Sequence, residues 1–284
     1  MIERHKIAVV YLSWLPYGIK HFQNFIQSYI LNTPHSDHDL IIAFNGLAKK
    51  HSEPIKDYLD ILADKNISAK TISFKLGQDL DIYDQIAKSE KYSFFLFLNT
   101  YSILQNSKWL EIFRNSIDPG IGIIGATGSY SSYLTAINRK TRNDLFSSNT
   151  FFFKYNSLKY FLKLNFFYGK YFKDFPNPHI RTNAFLIKRE LFLKITKPEF
   201  NSKIDAYIFE NGKNSMTNQL LAMGLRCVVV NSDMKVFDVM EWGNANVFWQ
   251  NKQEYLLISD NQTRKYDEAK LSIKRDLNKD AWNK

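Results

Sequence analysis

The sequence has a single cysteine among its 284 residues, Cys227, which lies in the apolar stretch LRCVVV. One thiol cannot form a disulfide within the chain, which excludes a disulfide framework and fits a reducing compartment. No apolar run approaches the roughly 20 residues of a membrane-spanning helix. The first residues, MIERHKIAVVYLSW, lack the shape of a signal peptide because their apolar run is short and no small-residue cleavage site follows. We therefore expect a cytoplasmic protein, either free or held peripherally on the cytoplasmic face of the inner membrane.

Acidic residues are in deficit. The chain carries 28 Asp and Glu against 38 Lys and Arg, a formal charge of +10, which indicates an anionic partner such as a nucleotide or a phospholipid surface. The positive charge is scattered and no nucleic-acid-binding motif is present, so no nucleic acid is expected. Aromatic residues, in contrast, are abundant, with 23 Phe and 16 Tyr.

The most informative stretch is YSFFLFLNTYS, residues 92–102. Its continuous apolar run predicts a strand buried on both faces, as in the middle of a parallel sheet. The run stops in Asn99, Thr100, Tyr101 and Ser102. Open α/β sheets bind their ligands outside the carboxyl ends of the strands, so these polar residues mark the predicted ligand-binding edge.

Strands and helices alternate from residue 7 to residue 128, which predicts an α/β fold with a mostly parallel sheet flanked by helices. A helix is expected over Asn214–Met223, and the charged tail from about Gln262 is expected to pack loosely. Strands are expected at 7–12, 39–44, 69–74, 92–98, 121–124, 180–187 and 225–231.

Several segments, in this order, resemble GT-A-type glycosyltransferases, especially the large inverting family 2 and its relatives in bacterial surface-polysaccharide clusters. The likeness covers about residues 5–265. The segments are IAVVYLSW, DLIIAFNG, FKLG, FFLFLNTYS, NPHIRTNAFLIKREL, FENGKNSMTNQLLAMGLRCVVV and SDNQTRKY.

The resemblance implies a single GT-A-type, Rossmann-like domain over residues 1–284. Residues 1–128 would bind the nucleotide sugar, 129–178 would form an aromatic and basic helical insertion, 179–261 would hold the acceptor and catalytic groups, and 262–284 would be a C-terminal extension. The expected donor is a nucleotide sugar of the UDP type. The expected acceptor is a cell-surface glycan or a lipid-linked saccharide.

One departure from the family affects the metal. The family's Asp-x-Asp chelates a divalent cation that neutralises the donor diphosphate, whereas this chain has Asn99, Thr100 and Tyr101 there. Three interpretations remain open. The enzyme uses Lys or Arg instead of Mn²⁺ or Mg²⁺, acids elsewhere (Asp79, Asp81 or Asp238) replace the pair, or the chain is a catalytically degenerate nucleotide-sugar or glycan-binding module.

Glycosyl transfer needs a base near the acceptor hydroxyl, and we select Glu210. It precedes Asn211-Gly212, where the chain can turn before the next helix, and the resemblance places the family's catalytic base there. The alternative is a carboxylate that only stabilises the N-terminus of that helix.

The remaining candidates follow predicted strands or carry positive charge. Arg suits bidentate contact with phosphate, whereas Lys acts as a point charge. The alternatives are solvated surface charges, a simple Asn-Gly turn at residue 45, and a satisfied loop histidine. The donor-binding candidates are Ser13, Asn45, Gly77, Asp79, Asp81, Asn99 and Tyr101. The phosphate- or acceptor-binding candidates are His179, Arg181, Asn183, Lys213 and Arg264.

Residues 151–175 interleave Phe and Tyr with Lys, and three interpretations remain open. The stretch could bind an anionic membrane surface, with rings at the headgroup boundary. It could be an acceptor-binding lid. It could equally be an ordinary buried insertion.

Overall fold

A mixed β-sheet with helices on both faces forms the centre of the computed structural model, which describes residues 6–50, 52–139, 162 and 166–283. The strands of the chain are β1 (Ile7–Trp14), β2 (Asp39–Asn45), β3 (Lys70–Phe74), β4 (Phe94–Leu98), β5 (Ile103–Leu104), β6 (Ile121–Gly125), β7 (Gly128–Ser129), β8 (His179–Ile180), β9 (Ala184–Lys188), β10 (Arg226–Val230), β11 (Val236–Phe237) and β12 (Ile258–Ser259).

The central sheet has eight strands in the order β11-β10-β6-β9-β4-β1-β2-β3. Strands β3, β2, β1 and β4 are mutually parallel, and so are β6 and β10. Strand β9 runs antiparallel between β4 and β6, and β11 is antiparallel to β10. The predicted α/β fold with a mostly parallel sheet is confirmed.

The strand predicted over 180–187 is two strands. β8 ends at Ile180 and pairs with β7, whereas β9 begins at Ala184 in the central sheet. The break leaves Arg181, Thr182 and Asn183 at the edge where β4 ends, because Ala184 is paired with Leu98. Three polar side chains are thereby placed at the predicted ligand-binding edge.

Apolar side chains alternate between two cores, one on each face of the sheet. In β1, Ala8, Val10 and Leu12 join one core while Ile7 and Val9 join the other. The helices that cover these cores are Ile19–Leu31, Ile55–Asp64, Asp79–Ser89, Trp109–Asn115, Arg189–Lys194, Lys203–Asn211, Met216–Ala222, Asn261–Glu268 and Leu271–Trp282. Residues 133–139 and 166–171 are also helical. Within the described ranges, no helix is long and apolar enough to cross a membrane.

The C-terminal tail packs firmly, so the expectation of loose packing is wrong. Trp282 is 5% exposed, and its indole Nε1 donates a hydrogen bond of 2.7 Å to the carbonyl oxygen of Phe248. The carbonyl of Ala281 accepts from the backbone N–H of Tyr130 at 3.0 Å. Most charged residues of this stretch lie on the outer faces of its two helices, whereas Tyr266, Ala281 and Trp282 face inward.

Truncating Trp282 should therefore destabilise the fold. We expect Trp282→Ala to lower the free energy of unfolding by about 3–5 kcal/mol, the usual cost of removing a large buried aromatic side chain. Urea denaturation would measure it. Leu271→Ala is the matched control, because Leu271 starts the same helix and is 65% exposed; its effect should stay within about 0.5 kcal/mol. Equal effects of the two substitutions would contradict the packing described here.

Candidate functional site

The loop that follows β4 is closed by its own side chains. The side-chain Oδ1 of Asn99 accepts hydrogen bonds from the backbone N–H of Tyr101 at 3.0 Å and from the hydroxyl of Ser102 at 3.2 Å. The backbone N–H of Asn99 donates to the carbonyl of Asn183 at 3.0 Å. Asn99 thus shapes a turn and joins it to the break between β8 and β9.

Thr100 fixes the same loop to the end of β1. Its buried hydroxyl donates to the carbonyl of Leu12 at 2.9 Å and accepts from the N–H of Trp14 at 3.0 Å. The hydroxyl of Tyr11 donates to the carbonyl of Thr100 at 2.8 Å. Ser13, a donor-binding candidate, is buried at this junction, 3% exposed.

Tyr101 carries the outer surface of the loop. Its ring centroid lies 5.4 Å from that of Tyr17 and 4.9 Å from that of His21. Arg264 donates from Nη1 to the carbonyl of Tyr101 at 3.1 Å and to the hydroxyl of Ser259 at 3.2 Å. Burial, followed by the charge of Arg264, lowers the pKa of His21. An aromatic surface with a guanidinium beside it therefore lies where β1 and β4 end.

Glu210 is held in place by Thr182, in the break between β8 and β9. The backbone N–H of Thr182 donates to Oε1 at 3.3 Å and its hydroxyl donates to Oε2 at 2.9 Å. Glu210 lies in the last turn of helix Lys203–Asn211. The following helix is capped by Ser215, which accepts from the N–H of Asn218. The alternative interpretation, in which Glu210 stabilises the N-terminus of that helix, is therefore not supported.

Asp79 interacts electrostatically with Glu210. It starts helix Asp79–Ser89 just after β3, and desolvation by the surrounding protein, followed by repulsion from Glu210, raises its pKa to about 6. Lys203 opposes this rise. The residue as a whole is exposed to solvent, so its carboxyl is not sealed in the core. The structure thus brings together two carboxylates that are 131 positions apart in the chain.

Arg181 is committed to a buried ion pair. Its Nη2 lies 2.8 Å from Oδ2 of Asp260, its Nη1 donates to the hydroxyl of Thr127 at 3.2 Å, and its guanidinium stacks 4.0 Å from the ring centroid of Phe248. The hydroxyl of Thr127 in turn donates to Oδ1 of Asn183 at 2.8 Å. These contacts make Arg181 and Asn183 parts of the wall of the cleft.

Two further basic candidates also have protein partners. His179 is buried, and its Nδ1–H donates to the carbonyl of Asn177 at 2.9 Å. Burial lowers the pKa of His179, which favours the neutral ring. Lys213 donates from Nζ to the carbonyl of Gly169 at 2.5 Å.

The donor-binding candidates near β2 and β3 shape the backbone. The side-chain Nδ2 of Asn45 donates to the carbonyl of Gly77 at 2.9 Å, while its buried Oδ1 has no partner within the described part of the chain. A Cβ on Gly77 would lie 2.7 Å from Cδ1 of Ile82, so a larger residue there would require that side chain to shift. Asp81 accepts from Gln85 on the outside of its helix at 3.0 Å.

No group of three or more His, Cys, Asp and Glu residues that could hold a metal ion occurs among the residues the structure covers. Asp238, one of the acids considered as a replacement, forms an exposed ion pair with Arg226 at 2.7 Å. It follows β11, which is an edge strand of the sheet and is separated from β4 by three strands. It therefore does not replace the Asp-x-Asp pair.

Sequence reasoning missed the residues that organise the cleft. Thr182 lies between the candidates Arg181 and Asn183, but no pattern in the sequence distinguishes its hydroxyl from that of any other threonine. Tyr17 and His21 lie outside the predicted strand ends, so their approach to Tyr101 has no local pattern in the sequence.

Comparison with known proteins gives likeness of fold alone. No family model matches the chain, and no curated protein matches it in sequence. Among solved structures it is similar to a mannosyltransferase from Pyrobaculum calidifontis in complex with GDP-Man and Mn²⁺, with a TM-score of 0.49 and 9% identity over 80% of this chain and 55% of that one. It is similar to glucosyl-3-phosphoglycerate synthase from Mycobacterium tuberculosis, with a TM-score of 0.37 and 13% identity over 66% of this chain and 58% of the other.

A third match is the structure of S. aureus TarS 1–349, with a TM-score of 0.33 and 13% identity over 42% of this chain and 34% of that one. The chain thus spans little more than half the length of the first two proteins and about a third of TarS 1–349. The chain is similar to these solved structures in fold. TM-scores below 0.5 at these identities say nothing about activity.

The raised pKa of Asp79 can be tested by removing its neighbour. Glu210→Gln should lower the pKa of Asp79 from about 6 towards 3.8, because a negative charge is removed. A carbon-detected NMR titration of the Asp carboxyl groups would measure it. Glu190→Gln is the control, since Glu190 is 75% exposed and follows the opposite end of β9. An unchanged Asp79 midpoint in Glu210→Gln would show that the two carboxylates do not interact.

The same shift predicts a pH dependence of stability. Asp79 binds its proton more tightly in the folded than in the unfolded chain, so its ionisation removes stability as the pH rises from about 4 to about 6. The difference in Tm between Asp79→Asn and the wild-type chain should therefore be more favourable to the variant at pH 7 than at pH 4. An effect independent of pH would contradict the raised pKa.

Proposed function

We propose that the protein transfers a sugar from a nucleotide sugar of the UDP type to a hydroxyl of a cell-surface glycan or lipid-linked saccharide, with inversion and with Glu210 as general base. The observation that carries the proposal is the position of Glu210 at the carboxyl end of β4, where both of its oxygens accept hydrogen bonds from Thr182 in the break between β8 and β9. There Asp79 interacts electrostatically both with Glu210 and with Tyr101, on the loop after β4. Carboxylates in a cleft at this edge of an α/β sheet are typical of an active site.

In this mechanism Glu210 accepts the proton of the acceptor hydroxyl. The acceptor oxygen forms a bond to the anomeric carbon while the bond from that carbon to the nucleoside diphosphate breaks, and the diphosphate leaves with the electron pair. Attack from the face opposite the leaving group inverts the anomeric centre. Thr182 orients Glu210 through both carboxylate oxygens, which supplies the positioning that a general base requires.

Asp79 is proposed to bind the donor. A carboxylate beside the aromatic surface of Tyr101 can accept hydrogen bonds from ribose or sugar hydroxyls. Binding a sugar hydroxyl between Asp79 and Glu210 would also separate two carboxylates that repel each other.

A binding module is the second candidate, because the loop after β4 has no acid. In that case the chain would bind a nucleotide sugar or a glycan without transferring the sugar. The oriented carboxylate Glu210 favours transfer, since binding alone does not require a base.

Glu210→Gln distinguishes these functions. We expect it to reduce the transfer rate at saturating donor by about 100-fold or more, the usual contribution of a general base. Donor affinity, measured by calorimetry, should be retained because the amide is isosteric. Glu190→Gln on the surface should transfer sugar at the wild-type rate. Full activity of Glu210→Gln would disprove its role as base, and donor binding without any transfer by the wild-type chain would favour the module.

The acceptor side is proposed to face an anionic membrane surface. Phe166 and Phe167 are 89% and 51% exposed, and Lys170 follows them in the same helical segment. Phe172, at the end of that segment, pairs with Gly212, two residues after Glu210. Exposed aromatic rings and lysines beside the proposed base would suit a lipid-linked acceptor. The rest of the 151–175 stretch (151–161 and 163–165) lies outside the described residues.

Replacing both exposed rings tests this surface. The double variant Phe166→Ser, Phe167→Ser should lose sedimentation with vesicles containing phosphatidylglycerol, because the apolar contact with the headgroup boundary is removed. Met240→Ser is the control, since Met240 is 88% exposed and lies elsewhere, after β11. Equal vesicle binding by wild type and both variants would contradict the proposed membrane contact.

A further inference from the structure

The residues at the family's metal position do not fit a divalent cation. Mg²⁺ and Mn²⁺ are bound by carboxylates and other hard oxygen ligands. Here Oδ1 of Asn99 accepts two hydrogen bonds from its own turn, and the hydroxyl of Thr100 both donates and accepts within the junction with β1. Neutral oxygens already engaged by the protein cannot replace the charge and the ligands of two carboxylates.

Arg264 brings positive charge to the same loop. It is half-buried, and it donates only from Nη1, to the carbonyl of Tyr101 and the hydroxyl of Ser259. Within the described residues no carboxylate lies in ion-pair contact with it. Three acids lie within four positions of it in the chain. Asp260 is committed to Arg181 and to the first N–H groups of the helix that carries Arg264, and Asp267 accepts from Gln253 at 2.8 Å. Glu268 acts on Arg264 electrostatically but forms no ion pair with it. A half-buried cation without an ion-pair partner favours a site for an anion.

The field of Arg264 reaches the surface on which a nucleotide would lie. It lowers the pKa of His21 and opposes the rise in the pKa of Tyr101, so its charge acts on both rings. The side chain also borders a cavity of about 440 Å³, whose lining includes Gln105, Lys252 and two acids, Glu254 and Asp267. The guanidinium is therefore accessible to a soluble ligand.

We propose that the chain binds the diphosphate of its nucleotide without a divalent cation, and that the Arg264 guanidinium supplies the positive charge. This inference rests on the proposed function, because it assigns the leaving group of that reaction. Arg264 offers Nε and Nη2 as a two-point donor, the geometry that suits phosphate oxygens. Arg181, in contrast, is already paired with Asp260 and hydrogen-bonded to Thr127.

Calorimetric titration with UDP, uridine and inorganic pyrophosphate, each with EDTA or with Mn²⁺, tests the proposal. The wild-type chain should bind UDP and pyrophosphate in EDTA nearly as tightly as in Mn²⁺. Arg264→Met should weaken both by about tenfold or more, as expected for losing charge-assisted hydrogen bonds, and should leave uridine unaffected. Lys265→Met is the matched control: it removes the same charge from the exposed neighbour on the same helix, and we expect less than about a twofold change.

The outcomes separate this inference from the proposed function. UDP binding that requires Mn²⁺ and survives Arg264→Met would overturn the inference, point to a cation held by Asp79 and Glu210, and leave glycosyl transfer standing. Equal losses in Arg264→Met and Lys265→Met would overturn it as an effect of net charge. No nucleotide binding under either condition, together with no transfer, would overturn both.

A conservative variant covers the case in which Arg264→Met does not fold. Arg264→Lys keeps the charge but loses the planar two-point donor, so it should weaken UDP and pyrophosphate by about threefold to tenfold. Unchanged affinities in Arg264→Lys and a normal melting temperature would count against a two-point contact and overturn the proposal as stated.

Discussion

Burial of both faces of β1 and β4 is the constraint on which the rest of the structure depends. These strands place apolar side chains in both cores along nearly their whole length. Polar side chains that could bind a ligand therefore occur only where each strand ends. At that edge the ends of β1 and β4 are tied together through the hydroxyl of Thr100. The cleft is therefore built on backbone that cannot move without breaking buried hydrogen bonds.

Much of the fold was predictable, because its strands are encoded by local apolar runs. The run that forms β4 and the alternation of strand and helix up to β6 needed no long-range information. The break at Arg181–Asn183 was missed because the apolar residues on either side read as one strand; the separate pairing of β8 with β7 is a tertiary effect. The firm packing of the C-terminal helices was missed for a related reason. Their composition is charged, and a few inward residues such as Trp282 decide the packing.

The contacts of the candidate site residues could not be predicted from the sequence. Glu210 and Asp79 were both selected, yet nothing in the sequence showed that they interact, since their approach depends on how helix Lys203–Asn211 packs. Arg181, Arg264 and Lys213 were all candidates because each carries a positive charge. Burial and partners separate them, because Arg181 is paired with Asp260 while Arg264 forms no ion pair within the described residues. Such distinctions need coordinates, since they depend on what each charge already contacts.

Asp260 joins two parts of the cleft that the sequence keeps 79 positions apart. One of its oxygens pairs with Arg181 in the wall, and the other accepts from the N–H groups of Gln262 and Thr263, which start the helix that bears Arg264. A single carboxylate thus sets the positions of both Arg181 and Arg264. Evolution cannot adjust one of them independently of the other, so a change of ligand at this end of the cleft would have to alter the C-terminal segment and the β8–β9 break together.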